Sequence, residues 1–211
     1  VLPVKNNQKK RSSLLKDALI LCVITLIAGL SLAYTNEVTK GPIAAKQLEK
    51  KQEAYSKVYT DAKEIIPDNE LTQAAATADL SLMDSSYRKV KVNEISKAAD
   101  VNGNTIGYII AITTKGGYNP PISMVIGYSN EKVITGFEYL TFNESKSVDV
   151  LKNEYRTQYI GKTGEYFSFD KDAGTKVDAI SGATISSNGI IDAVNAGIGY
   201  LNEYVIGGAG Q

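Results

Sequence analysis

Thr184 offers a small, open hydroxyl behind Gly182 and Ala183, in the run DAISGATISS from Asp178 to Ser187. Ser181, Ser186 and Ser187 flank it with further hydroxyls, and Asp178 stands upstream as the acidic residue of the run. The run falls between a short strand candidate, Thr175 to Ala179, and a helix candidate. Ser186 or Ser187 is read as the N-cap of that helix. Ile190, Ile191, Val194, Ile198 and Leu201 carry its apolar face to about Val205. A strand, a glycine-containing turn and a helix start together favour a phosphate. The first helical N–H groups lack intrahelical partners, and the helix dipole favours negative charge there. A phosphate esterified to Thr184 would lie beside those donors, with Ser181, Ser186 and Ser187 adding hydroxyls. Asp178 has no use in holding an anion, so it reads as a recognition group or one that orders the turn. The alternative is a helix-capping loop that is merely rich in small residues.

Composition narrows the chemistry. The chain has 211 residues, 23 of them Lys or Arg and 23 Asp or Glu, so it carries no net charge and no basic excess that would suit a nucleic acid. It has no histidine, which excludes Ser-His-Asp and Cys-His catalysis, histidine-ligated zinc or haem, and a flavin bonded through its ring to histidine. A single cysteine, Cys22, rules out an internal disulfide and an iron–sulfur cluster held by this chain alone. No metal site and no catalytic residue of its own are expected. Redox work would need a borrowed organic cofactor.

The elements that would position Thr184 begin with a membrane segment. Ala18 to Tyr34 is uncharged, and at ~1.5 Å per residue it comes near the lower limit for a ~30 Å hydrocarbon core. Leu14, Leu15 and a snorkelling Lys16 can extend it. Lys5, Lys9, Lys10, Arg11 and Lys16 precede it, which sets the N-terminus in the cytoplasm and the rest of the chain outside. The expected organisation is therefore a basic cytoplasmic tip over 1–17, a transmembrane helix over 18–35 and an extracytoplasmic domain over 36–211. Ser31 and Ala33 would also fit a cleaved signal peptide. Cys22 reads as a packing residue, with a place beside a shared metal site as the alternative.

Thr39-Lys40-Gly41-Pro42 predicts a break, after which Ile43 to Ala62 resumes helical spacing. Pro67-Asp68-Asn69 reads as a loop, and the Ala-rich stretch through Asp84 is ambiguous. Val90, Val92 and Ile95 alternate; Thr105–Thr114, Ile122–Tyr128 and Lys132–Thr141 follow, separated by Gly116-Gly117, Pro120-Pro121 and Ser129-Asn130-Glu131. That pattern predicts an antiparallel meander. Residues 143–164 read as a helical or irregular excursion. The fold class is α+β: an antiparallel sheet with flanking helices after one N-terminal transmembrane helix.

Asp178 to Thr184 resembles the flavinylation motif Asp-x-x-Ser/Thr-Gly-Ala-Thr, in which a transferase moves FMN from FAD onto the threonine. The layout as a whole resembles the G-type subunit of the Rnf electron-transport complex and its relative, the C-type subunit of the sodium-pumping NADH:quinone reductase. The resemblance runs through "NEVTKGPIAA", "GGYNPPISMVIGY", "GFEYLTFNES" and "KVDAISGATISSNGIIDAV". It implies an extracytoplasmic FMN-binding domain with FMN joined to Thr184 by a phosphoester. It implies electron relay inside an ion-translocating ferredoxin:NAD oxidoreductase, with the other integral-membrane and redox subunits, the lipid bilayer and a transient flavin transferase as partners. One segment departs from the family, which commonly carries Glu-Thr-Pro-Gly-Leu-Gly after the third strand of the run. Here Glu144-Ser145-Lys146-Ser147-Val148-Asp149 keeps only the glutamate. Glu144 and Tyr118 are candidate neighbours of the cofactor, with Tyr128, Tyr139 and Phe142 as further candidate ring contacts and sheet packing as their alternative. Lys146 and Lys176 could lie beside a reduced, anionic flavin, or simply be solvated. Two other functions suit the same loop: an anchored extracytoplasmic sensor or binding module for a free phosphate ligand, and the equivalent subunit of the quinone reductase. A pilin-like subunit would need acidic residues in the apolar helix after Asp17, and none is there.

Overall fold

The computed structural model describes residues 8–142 and 150–207. The chain divides into two compact units, Val1–Glu49 and Lys50–Gln211. The first helix, α1 (Gln8–Val58), contains the division. Its apolar stretch is the one helix among the described residues long and apolar enough to cross a membrane, with mean hydropathy 2.3. Leu19, Ile24, Leu26, Ile27 and Leu30 are all exposed there, as suits a helix whose solvent is lipid.

The expected break at Thr39–Pro42 does not occur: Pro42 lies inside α1. Proline's fixed φ fits a helix, and its cost is one missing N–H bond and crowding one turn back. The helical propensity of the sequence on either side carries the turn through. Nearby hydroxyls also engage the backbone, with Thr35 Oγ1 donating to the Ser31 carbonyl and Thr39 Oγ1 to the Thr35 carbonyl, at 2.8 and 2.7 Å.

The second unit is α+β. β1 (Glu64–Pro67), α2 (Asn69–Thr77) and two 3-10 turns, Leu80–Leu82 and Ser85–Lys89, lead into β2 (Val90–Ala99). β3 (Thr105–Thr114), β4 (Ile122–Ser129) and β5 (Ile134–Phe142) complete a five-stranded antiparallel sheet in sequential order. The meander is as expected, but β1 adds an edge strand where the sequence suggested only a loop at Pro67. Asp68 caps α2, its Oδ1 accepting from Leu71 N at 2.9 Å.

Both faces of the central strands are covered, which is why β3 reads as an almost unbroken apolar run. Ile109 and Ala111 face the cluster made with Tyr55, Val58 and Tyr59 from the end of α1 and the residue after it. Ile110 and Ile112 face the larger cluster, with Ile190, Val194 and Ile198 of α3 (Thr184–Tyr200). Thr135 Oγ1 donates to the Val58 carbonyl at 2.6 Å, and Tyr59 Oη to the Ile106 carbonyl at 2.7 Å, fixing the end of α1 to the sheet. Residues 150–176 form a short π-helical turn (Val150–Tyr155), further turns that bond to the start of β5 through Gly161 and Lys162, and a parallel pair of two-residue strands, β6 (Phe167–Ser168) and β7 (Thr175–Lys176). No buried side-chain polar atom among the described residues lacks a partner.

Candidate functional site

Thr184 is the first residue of α3, not part of a turn before it. The helix begins three to four residues earlier than the serine pattern suggests. Ser187 N donates to the Ala183 carbonyl at 2.9 Å, closing the first turn. Ala183 occupies the N-cap position and supplies no side-chain cap. The first N–H groups of α3 therefore point outward without a capping oxygen, beside an exposed Thr184 side chain. A negative group at Thr184 would meet those donors and the positive end of the helix dipole.

Gly182 makes the approach. Its φ is +77°, a left-handed value that a side chain would strain, and nothing lies within 4 Å of where a Cβ would point. Ser181 and Gly182 are exposed, while Ala183 is buried and tucks the turn into the core. Ala183 N donates to the Ile180 carbonyl at 3.0 Å, which closes that turn.

Ser186 and Ser187 do not cap the helix. Both are buried, at 1% and 0% exposure. Ser186 Oγ accepts from Tyr118 N at 3.2 Å, and Ser187 Oγ accepts from Ile180 N at 3.1 Å. Their oxygens tie the loop between β3 and β4, and the turn before Thr184, to the start of α3. The same loop approaches closely at Gly116 and Gly189: a Cβ on Gly189 would stand 2.6 Å from Gly116 C. Tyr118 is thus set next to the helix start through its backbone, and its side chain is 57% exposed. Glu144 and Lys146 lie outside the described residues.

Asp178 keeps its carboxylate outward and gives its backbone to the fold. Lys176 Nζ pairs with Asp178 Oδ1 at 2.8 Å, and this holds the Asp178 carboxyl below its usual range. The same contact raises Lys176, so that lysine serves Asp178. The Asp178 backbone meets an amide side chain at both ends: its N donates to Gln158 Oε1 at 2.7 Å, and its carbonyl accepts from Gln158 Nε2 at 3.1 Å. A second amide does the same one layer in. Asn195 of α3 accepts from Phe167 N and donates to the Phe167 carbonyl, both at 2.8 Å. Neither amide was legible as a site residue, because each acts on backbone distant in sequence.

Of the other aromatic candidates, Tyr128 is a core residue. It is fully buried, donating to the Gly164 carbonyl at 3.3 Å and accepting from Asn202 Nδ2 at 3.1 Å. Tyr139 and Phe142 pack on each other with ring centroids 4.6 Å apart, and Tyr139 also meets Phe137 at a tilt, at 5.0 Å. On another side, the first turns of α3 border a groove of about 370 Å³ whose lining includes Ser86, Arg88, Lys89, Ile185, Asn188 and Asp192. Burial pushes the Asp192 carboxyl up, opposed by its hydrogen bond to Ser86 and reinforced by Asp84.

The comparisons with known proteins agree with this layout. The FMN-binding domain family matches residues 117–199, a span that runs from the β3–β4 loop through the Thr184 turn. The RnfG N-terminal region matches residues 7–58, the extent of α1. The G-type subunit of the ion-translocating oxidoreductase complex of Methanosarcina acetivorans is 27% identical over 190 residues, covering 89% of this chain and 94% of that protein. The G-type subunit of the Na(+)-translocating ferredoxin:NAD(+) oxidoreductase complex of Acetobacterium woodii is 26% identical over 191 residues, covering 87% and 89%. The crystal structure of Shewanella oneidensis NqrC superposes with a TM-score of 0.47 at 16% identity, over 67% of this chain and 81% of that one. The chain thus matches the RnfG N-terminal region over α1 and the FMN-binding domain behind it, and along most of its length it is similar to G-type subunits of ion-translocating oxidoreductase complexes.

Proposed function

We propose that this chain is the electron-carrying, membrane-anchored subunit of an ion-translocating oxidoreductase complex, and that Thr184 carries its FMN as a phosphoester. The observation that supports it most is an exposed threonine hydroxyl at the uncapped N-terminus of α3, inside the span matched by the FMN-binding domain family. The residues present fit an FMN phosphate: free helical N–H groups, an open Gly182 and no competing carboxylate on the first turn of α3. In maturation, a flavin transferase joins Thr184 Oγ to the FMN phosphorus of FAD. The pyrophosphate bond breaks, AMP leaves, and the hydroxyl proton passes to a base of the transferase.

Bound FMN supplies one- and two-electron redox chemistry, and the protein supplies place and electrostatics. The α3 N–H groups would hold the phosphate and offset part of its charge. Tyr118, whose backbone N–H is held by Ser186 at the start of α3, has an exposed ring that would be a contact for the flavin. Ser186 and Ser187 fix the turn through Tyr118 N and Ile180 N, and so would position a cofactor carried by Thr184. α1 anchors the chain in the bilayer, and the basic residues before its apolar stretch favour a cytoplasmic N-terminus with the FMN-binding domain outside. The other subunits of the complex supply and accept the electrons.

The test is mass spectrometry on full-length chain co-expressed with the transferase. The parent should gain the mass of one FMN less water and stay fluorescent after denaturation, and Thr184→Ala should do neither. Flavin that leaves on denaturation would favour a non-covalent binding module, and covalent flavin on Thr184→Ala would refute the assignment. Protease accessibility in vesicles of known sidedness tests the orientation.

A further inference from the structure

Beyond β7 the chain leaves the ladder, and its polar backbone groups are taken up one at a time. Val177 N makes the last strand-like bond, to the Ser168 carbonyl at 2.9 Å. Ile180 N goes to Ser187 Oγ at 3.1 Å, and the Ile180 carbonyl receives Ala183 N at 3.0 Å. Between these, both backbone groups of Asp178 are bonded by one side chain, Gln158. We propose that Gln158 is the positioning residue for flavin attachment: its amide holds the Asp178–Thr184 segment in the form that the transferase engages. This rests on the flavinylation reading above. Gln158 acts through the Asp178 backbone and touches neither the Thr184 hydroxyl nor FAD.

The clamp is stiff at its base. Gln158 lies between Tyr155 and Tyr159, both fully buried. Tyr155 Oη donates to the Ser187 carbonyl and Tyr159 Oη to Tyr155 Oη, each at 2.9 Å. The residues that carry Gln158 are therefore fixed to α3 itself, just after Thr184. Through Gln158 they fix the first residue of the motif, and through Ser187 the start of the helix, so both ends of the acceptor segment share one reference frame. Gripping Asp178 by its backbone leaves its carboxylate, 72% exposed and paired with the exposed Lys176, on the surface where a partner can read it.

Loss of the clamp would let residues 177–180 sample other conformers. If the transferase takes only the held form, the acceptor KM rises by the inverse of the competent fraction, and kcat at saturation stays the same. The experiment uses full-length chain made without the transferase, purified in detergent, then supplied with FAD and transferase while covalent flavin is followed against acceptor concentration. Gln158→Met keeps the length and removes both hydrogen bonds. Gln158→Glu keeps the acceptor for Asp178 N and loses the donor. Losing two hydrogen bonds lowers the ratio of held to released forms by about tenfold or more, so Gln158→Met should raise the acceptor KM by about two- to tenfold, with kcat within about twofold. Gln158→Glu should give a smaller rise. Amide exchange at Asp178, measured without transferase, should speed up in parallel. A KM for Gln158→Met equal to the parent's, or a loss confined to kcat, overturns the proposal. Should that variant not fold, the KM of Gln158→Glu against the parent decides by the same criterion. Parent chain labelled at a residue other than Thr184 sinks the underlying reading instead; Thr184 labelling that is indifferent to Gln158 sinks only the clamp.

Discussion

Replacing Asn195 by alanine should weaken the domain far more than its mid-helix position suggests. The Asn195 side chain is 3% exposed and is the partner of both Phe167 backbone groups, at 2.8 Å each. Phe167 itself is fully buried, so the exposed alternative of bonding to water is closed to those groups. Leaving a buried donor or acceptor unpaired costs about 1–3 kcal/mol apiece. Alanine returns about 0.5 kcal/mol of helix propensity. The net expectation is a loss of about 1.5–5.5 kcal/mol, or a melting temperature lower by about 3–22 °C for a unit of this size. Urea unfolding of the full-length chain, followed by circular dichroism, measures the first figure, and hydrogen exchange locates it. The Phe167 amide should lose protection by roughly tenfold or more, the same free energy read at one site. A loss below about 1 kcal/mol, with Phe167 still protected, would refute the reasoning, because water or a shifted strand would then be satisfying those groups.

Other substitutions probe other contacts. Gly189→Ala should destabilise by about 1–3 kcal/mol despite alanine's better helix propensity, because the new methyl meets Gly116 backbone at 2.6 Å; Gly199→Ala, which meets only the flexible end of Met83, should be neutral or stabilising, and urea unfolding compares them. Asp192 has its carboxyl raised by burial, so its penalty is absent below about pH 4 and grows as pH rises through its folded-state value. Asp192→Asn should accordingly be more stable than the parent at pH 7 and equal to it in acid, as read by unfolding at both pH values. Lys176→Met should return the Asp178 carboxyl upward toward its ordinary range in carbon-detected NMR titration; the stability this pair adds is present above the ordinary carboxylate range and fades as pH falls through the lowered value.

The sequence and the structure part company where bonding is not local. Alternation and turn residues locate β3, β4 and β5 to within a residue or two, because both signals lie within the strand and its flanks. β1 escapes the same reading: Glu64–Pro67 is a largely exposed edge strand with a proline, so neither alternation nor length marks it. Gly41-Pro42 signals a stop that the surrounding helix overrides. The segment around Thr184 is legible as a phosphate site from residue types alone. The start of α3 is misplaced because Ser186 and Ser187 look like caps, while their oxygens receive Tyr118 N and Ile180 N from elsewhere in the fold. Gln158 and Asn195 leave no trace at all, since an amide that substitutes for a missing strand neighbour has no spacing rule to announce it.

The last turn of α1 has a practical consequence for anyone trimming this protein to a soluble piece. Tyr55, Val58 and Tyr59 are buried against one face of the sheet, and the Val58 carbonyl is bonded from Thr135. A cut placed just before β1, where the helix ends and the strands begin, would strip that face and leave Ile109 and Val125 wet. A fragment should begin near Lys50, so that the root of the anchor travels with the domain it roofs.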